Sequence, residues 1–132
     1  MKISNKTISS INSGLLIFIG IYFNDTTDDI NKLYNKIINL RIFEENNKFS
    51  ISDIAGEILL VSQFTLCANI KRGNRPSFKD AMEPQKAEII FNDIINKFKK
   101  SKLKIQTGEF GAFMDVSLEN KGPMTIMLDT KI

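Results

Sequence analysis

Histidine is absent from this chain of 132 residues, and cysteine occurs once, at Cys67. The missing histidine removes the commonest general base and the commonest metal ligand, so a Ser-His-Asp triad, a Cys-His pair and a histidine-bearing zinc site are all excluded. A single cysteine also excludes a disulfide within the chain. Any hydrolysis must therefore take its base from a carboxylate, a lysine, the backbone environment or the substrate itself.

The sequence also lacks a hydrophobic run long enough to cross a membrane. Lys2 and Lys6 precede the apolar run from Leu15 to Phe23, which imitates the start of a signal peptide, but no small-x-small cleavage site comes after it. The run is therefore predicted to be a buried strand of a cytoplasmic protein that does not bind membranes. Internal repeats and low-complexity segments are missing too, and residues 1–132 fit a single domain.

Acidic residues are slightly outnumbered, 15 against 18 basic ones, which gives a net charge of +3 and a pI near 9.0. This balance permits a polyanionic partner without requiring one. Residues 71–79 contain four basic side chains and an aromatic one but no acid. A second lysine cluster, in residues 97–104, lies where a helix is predicted to end, and we interpret it as favourable charge at the helix C-terminus.

Apolar periodicity predicts two amphipathic helices, one capped by Thr26 or Thr27 and one that begins at Pro84 and ends near Lys100. Strands are predicted over residues 14–23 and 57–66, with shorter ones in residues 2–11, 41–51, around 105, 112–118 and 124–129. Strands and helices mostly do not alternate in this assignment. We therefore predict an α+β fold, with a mixed, largely antiparallel sheet or partly closed barrel and the two helices packed outside.

One predicted strand ends in an unusual way. Ile58 to Leu66 begins as a continuous aliphatic run and then carries Ser62, Gln63 and Thr65. Polar groups at the end of a buried strand must find partners or form a ligand site, so these three are candidates for chemistry. The alternative is that they make ordinary hydrogen bonds to neighbouring loops.

A second segment, Asn120-Lys121-Gly122-Pro123-Met124-Thr125, is typical of a hairpin connection. The sequence Ser-Gln-Phe-Thr-Leu with a late Asn-x-Gly-Pro-x-Thr resembles the motif pair of the D-aminoacyl-tRNA deacylases, also called D-tyrosyl-tRNA deacylases. Further similar segments occur in the same order, and the resemblance runs from Gly14 to the C-terminus. These further segments are Ser13–Leu16, Leu40–Phe43 and Arg72–Phe78.

The resemblance implies the deacylase fold and a cytoplasmic homodimer that needs no cofactor or metal. Its activity would be hydrolysis of the ester bond of D-aminoacyl-tRNA, which proofreads chirality in translation. Backbone N–H groups of Phe64 and Thr65 would stabilise the oxyanion, and Ser62 and Gln63 would bind substrate.

In the family the Gly-Pro peptide bond is cis, and the pair enters the active site of the other subunit. The carbonyl groups of Gly122-Pro123 would hold the α-amino group there and leave no space for an L side chain. Such a filter ignores side-chain identity, so D-aminoacyl groups in general would be accepted. Glycine would also be accepted, including glycyl-tRNA mischarged on tRNA(Ala).

Two roles stay open at this point. Thr65 could be a nucleophile, but without histidine we favour substrate assistance by the ribose hydroxyl next to the ester, with Thr65 in a positioning role. Arg72, Arg75 and Phe78 are expected to hold tRNA phosphates and stack near the terminal adenosine. The alternative is that Phe78 is a core residue and the charges are solvated.

The sequence differs from the family pattern at the N-terminus, where other members carry an extra strand with a basic residue that braces the Gly-Pro turn. Met1 to Ile11 aligns only with the family's residues after that strand. Either another group braces the turn or the protein starts upstream. A non-catalytic member that binds RNA ends is therefore the main alternative function, and a small-molecule esterase is a third.

Overall fold

The computed structural model describes residues 1–132, apart from the side chain of Glu45. Its main sheet has three parallel strands that lie side by side in chain order, and a separate antiparallel hairpin has two. The strands are β1 (Lys2–Ile3), β2 (Lys6–Thr7), β3 (Gly14–Ile19), β4 (Glu57–Ser62) and β5 (Lys104–Thr107). Helix α1 (Thr27–Asn39) lies between β3 and β4 in the chain, and α2 (Pro84–Lys99) lies between β4 and β5.

The parallel sheet corrects the predicted topology. The chain is a mixed α/β protein with two helices, and its strands and helices do alternate. The prediction of a largely antiparallel sheet is wrong, and the described residues form no closed sheet or barrel. The four buried aliphatic residues in a row in β4 are typical of a central parallel strand. The alternation of strands and helices is hard to recognise in the sequence because the connections are long and β5 is short.

Several predicted strands are not regular strands in the structure. Segment 112–118 contributes one bridge, between Asp115 and Lys2, and segment 124–129 is irregular. The strand predicted in residues 41–51 is reduced to a bridge between Phe43 and Phe49. The alternating apolar pattern in these segments therefore corresponds to isolated bridges or irregular backbone and not to regular strands.

Both helix predictions are confirmed. Thr26 is the N-cap residue of α1, and its backbone N–H donates a hydrogen bond of 2.8 Å to Asp29 Oδ2. Pro84 lies in the first turn of α2, where its missing N–H costs no helical hydrogen bond. The buried stripe of α2 recurs at helical spacing at Ala87, Phe91, Ile94 and Phe98.

Strand β4 is buried on both faces, and this fixes the position of its end. Ile58 and Leu60 belong to the main core with the buried faces of both helices. Leu59 and Val61 point the other way and form a smaller cluster with Met1, to which Ile11, Leu16, Met114 and Val116 add contacts. Both helices thus cover one face of the sheet, and no helix among the described residues is long and apolar enough to span a bilayer.

Candidate active site

The polar residues singled out in the sequence lie at the carboxyl end of β4. The strand ends at Ser62, earlier than predicted, and Phe64–Cys67 forms a 3₁₀ turn, which we call the site turn. Because β3, β4 and β5 are parallel, their carboxyl ends meet at one edge, the usual location of ligand sites in such sheets. The sheet topology therefore brings the site turn next to the residues directly after β3.

Two backbone N–H groups of the site turn precede its hydrogen-bonded part. The first bond across the turn runs from Leu66 N–H to the Gln63 carbonyl at 3.2 Å, and Ala68 N–H donates to the Thr65 carbonyl at 3.1 Å. The N–H groups of Phe64 and Thr65 come before this first bond, like the initial N–H groups of any helical turn. Donors of this kind can stabilise a negatively charged oxygen.

Glycine at position 20 allows the site turn to approach the end of β3. Gln63 N–H donates to the Ile19 carbonyl at 2.7 Å. A Cβ built on Gly20 would lie 2.9 Å from Leu66 Cβ, 3.1 Å from Cys67 Sγ and 3.3 Å from the Gln63 carbonyl oxygen. Sequence reasoning did not select Gly20, although a glycine directly after a strongly apolar strand is a known sign of close backbone approach.

The side chains of Gln63 and Thr65 are joined. The Gln63 side-chain amide donates a hydrogen bond to Thr65 Oγ1. A carboxamide is not a base in either orientation, so this contact orients the threonine hydroxyl but does not deprotonate it. Cys67, two residues on, is 2% exposed, and its burial raises the pKa of the thiol, which disfavours the reactive thiolate.

The basic loop is closed by a short antiparallel contact and lies next to the site turn. Asn69 N–H donates to the Ser77 carbonyl at 2.7 Å, and Ser77 N–H donates back at 2.9 Å. The loop between them, which carries Arg72 and Arg75, is exposed. The Phe78 ring meets the Phe64 ring edge-to-face, with 5.2 Å between centroids. Phe78 is 39% exposed, so the alternative of a buried core residue is wrong.

The Gly122-Pro123 turn is exposed, and its peptide bond is cis. Asn120 Nδ2 donates to Thr125 Oγ1 at 2.9 Å, so a side-chain hydrogen bond spans the turn. A groove of about 1720 Å³ is bordered by β3 and α1 on one side and by residues 117–130 on the other. Leu66 and Cys67 line the same groove as Gly122-Pro123.

Large apolar side chains on the C-terminal third of the chain are unusually exposed. Phe113 and Met127 are 99% and 98% exposed. Leu118 and Ile126 are each more than half exposed. Exposed apolar side chains mark an interaction surface where they adjoin one another in a patch of several hundred Å².

These features define the class: a mixed α/β protein with a polar turn at the carboxyl edge of its parallel sheet. Comparison with known proteins then gives the family. The family described as D-Tyr-tRNA(Tyr) deacylase matches residues 1–129. The chain therefore belongs to the D-aminoacyl-tRNA deacylase family, a family of hydrolases, and the resemblance seen in its motifs is confirmed.

Individual relatives agree with this assignment. The chain is 51% identical to a D-aminoacyl-tRNA deacylase of Aquifex aeolicus, with 99% of this chain and 90% of the relative covered. It is 47% identical to the enzyme of the same name from Thermosipho melanesiensis, with the same coverage.

Two solved structures are also similar. One is named c-Myc DNA Unwinding Element Binding Protein, with a TM-score of 0.86, 38% identity and coverage of 95% of this chain and 87% of that one. The other is a probable eukaryotic D-amino acid tRNA deacylase, with a TM-score of 0.76 and coverage of 92% and 88%. At 12% identity this second likeness concerns the fold alone.

Proposed function

We propose that this chain hydrolyses the ester bond between a D-amino acid and the terminal ribose of tRNA, releasing the free amino acid and tRNA. The observation that carries the proposal is the site turn, with two backbone N–H donors beside an oriented threonine hydroxyl, in a chain 51% identical to a D-aminoacyl-tRNA deacylase. Water attacks the ester carbonyl, the bond to the ribose oxygen breaks, and the ribose hydroxyl is regenerated. Action on tRNA also implies a cytoplasmic location.

The site turn would act mainly by positioning and by electrostatic stabilisation. The N–H groups of Phe64 and Thr65 hold the oxyanion of the tetrahedral intermediate, an effect worth about 3–4 kcal/mol per donor in other hydrolases. Ser62 and Gln63 bind the substrate. Because Thr65 is hydrogen-bonded to a carboxamide, the geometry favours positioning by Thr65 over nucleophilic attack. The hydroxyl next to the ester on the ribose then assists the attacking water.

The Gly122-Pro123 turn would supply the chiral filter. In a homodimer it enters the site of the other subunit, where its carbonyl groups hold the α-amino group and exclude an L side chain. The exposed apolar residues of the C-terminal third, among them Phe113 and Met127, support contact with a second copy. A filter made of backbone also accepts glycine, so glycyl-tRNA mischarged on tRNA(Ala) would be a further substrate.

The basic loop would hold the tRNA end. Arg72 and Arg75 are exposed on a loop closed beside the site turn, which suits contact with phosphates. Phe78 packs against Phe64 and keeps part of its ring accessible, which suits stacking on a terminal base.

The test is to mix the purified protein with tRNA charged with D-tyrosine and, separately, with L-tyrosine, and to measure loss of the ester over time. Rapid loss of the D ester alone is expected. Binding of both without hydrolysis would instead support a non-catalytic RNA-end-binding protein, and hydrolysis of simple esters without tRNA would support a small-molecule esterase.

The role of Thr65 is tested with Thr65→Val, which keeps the shape but removes the hydroxyl. Turnover above the uncatalysed rate is expected to persist in this variant in either case, so the two roles are separated by the covalent intermediate. A nucleophilic Thr65 would carry an aminoacyl ester in wild-type protein quenched during turnover, whereas a positioning Thr65 should show none by mass spectrometry. Thr27→Val, at the exposed start of α1, is the matched control and should behave as wild type.

A further inference from the structure

The segment that carries Gly122-Pro123 is attached to the start of α1 by a polar cluster. Thr130 Oγ1 donates to Asp29 Oδ1 at 2.8 Å, and Lys131 Nζ donates to Asp29 Oδ2 at 2.8 Å. Lys131 Nζ also lies 3.6 Å from Asp25 Oδ1. The two hydrogen bonds to Asp29 join residues 101 and 102 positions apart in the chain.

Both oxygens of Asp29 are in use, and the residue is 8% exposed. Oδ2 accepts a bond from Thr26 N–H at 2.8 Å in addition to the one from Lys131. A carboxylate removed from water needs such charge-assisted partners, and losing one of them leaves an uncompensated charge. The hydrogen bond from Lys131 is also the main reason that the pKa of Asp29 is lowered.

The same cluster reaches the edge of the sheet where the site turn lies. Asp25 Oδ2 accepts a hydrogen bond of 2.8 Å from Tyr22 N–H, two residues after Gly20. The backbone that leaves β3 is thereby connected through Asp25 and Lys131 to the C-terminal segment. Toward the Gly-Pro turn, the segment is mostly exposed and has no regular strand between residues 117 and 127.

We propose that Asp29, Thr130 and Lys131 are positioning residues for chiral selection. They anchor the C-terminal end of the segment that carries Gly122-Pro123 to its own subunit and so limit the positions that the turn can take. The proposal rests on the filter role proposed above for that turn. If the attachment is released, the turn still exists but reaches the other subunit's site in a wider range of positions. An L side chain is then excluded less strictly, and the D substrate is held less well.

The test compares Lys131→Met with Lys131→Arg and with Lys99→Met, which removes an exposed lysine at the far end of α2. The kcat/KM of each protein is measured on D-tyrosyl-tRNA and L-tyrosyl-tRNA. Misplacement of about 1 Å costs up to about 100-fold in rate, so Lys131→Met should lower kcat/KM for the D ester by about 10- to 100-fold and reduce the D-over-L ratio. Lys131→Arg and Lys99→Met should keep the wild-type ratio.

A merely structural role would lower both activities together, through a smaller folded fraction, and leave the D-over-L ratio unchanged. That result overturns the proposal. If Lys131→Met does not fold, Thr130→Val removes a single hydroxyl and should reduce the same ratio to a smaller extent.

A measurement without substrate separates this proposal from the proposed function. The heteronuclear NOE of backbone amides in residues 117–127 reports their fast motion. It should fall in Lys131→Met and stay at the wild-type value in Lys99→Met, even if the wild-type protein hydrolyses neither ester. An unchanged NOE in Lys131→Met would refute the attachment itself.

Discussion

Replacing Gly20 by alanine should displace the site turn by a predictable distance. The new Cβ would lie 2.9 Å from Leu66 Cβ. Carbon atoms in contact are about 3.5–4.0 Å apart, so the turn must retreat by roughly 0.6–1.1 Å. The neighbour is a Cβ atom attached directly to the backbone, so a side-chain rotation cannot relieve the contact.

Stability and activity should respond differently to this change. Overpacking lowers the free energy of unfolding by about 1–3 kcal/mol. Alanine restricts the unfolded chain more than glycine does, and this smaller unfolded-state entropy offsets about 0.4–1 kcal/mol of the loss. The net loss lies between about 0 and 2.6 kcal/mol, with a midpoint near 1.3 kcal/mol, which lowers the Tm of a 132-residue domain by about 5 °C. A retreat of about 1 Å by the oxyanion donors should lower kcat/KM on D-tyrosyl-tRNA by about 10- to 100-fold.

Gly108→Ala is the matched control. A Cβ at Gly108 would also meet an atom at 2.9 Å, but the atoms are the sulfurs of Met1 and Met114, which flexible side chains can move away. This variant should keep most of its activity. The reasoning fails if Gly20→Ala shows the expected loss of Tm but wild-type kcat/KM, because the turn would then tolerate displacement.

Two further predictions concern charge. The pKa of Asp29 is lowered from 3.8, chiefly by its hydrogen bond from Lys131, so its contribution to stability is present above that pH and is lost as the pH falls below it. Asp29→Asn should therefore lower the Tm at neutral pH. Between about pH 5 and pH 2 its Tm should also depend less on pH than the wild-type Tm does. Parallel curves of Tm against pH for the two proteins would contradict this. Changing both Arg72 and Arg75 to alanine should raise the KM for D-tyrosyl-tRNA. It should also reduce the slope of log affinity against log salt concentration by about 1.4, because each of two lost contacts to single-strand phosphates contributes about 0.7. Lys99→Ala should leave that slope unchanged, and an unchanged slope in the double variant would exclude the basic loop from tRNA contact.

Parts of the candidate site were predictable because their signals are local. Ser62, Gln63 and Thr65 stand out as polar residues at the end of an aliphatic run, and Gly122-Pro123 stands out as a turn. Gly20 was not predictable in the same way, because its importance depends on Leu66 and Cys67 being packed against it. Nor does any spacing in the sequence indicate that Phe78 meets Phe64.

The sequence by itself determined the two helices, the family and the exclusion of histidine chemistry. The helix signals are local: apolar periodicity, the Thr26 cap and Pro84 at the start of the second helix each involve only a few neighbouring residues. They can therefore be recognised without knowing the tertiary structure. The tertiary structure alone decided that the sheet is parallel and that Asp29 meets Lys131. The physical reason is that strand pairing and ion pairing join distant parts of the chain, so they depend on how the whole core packs and leave no mark in any local pattern.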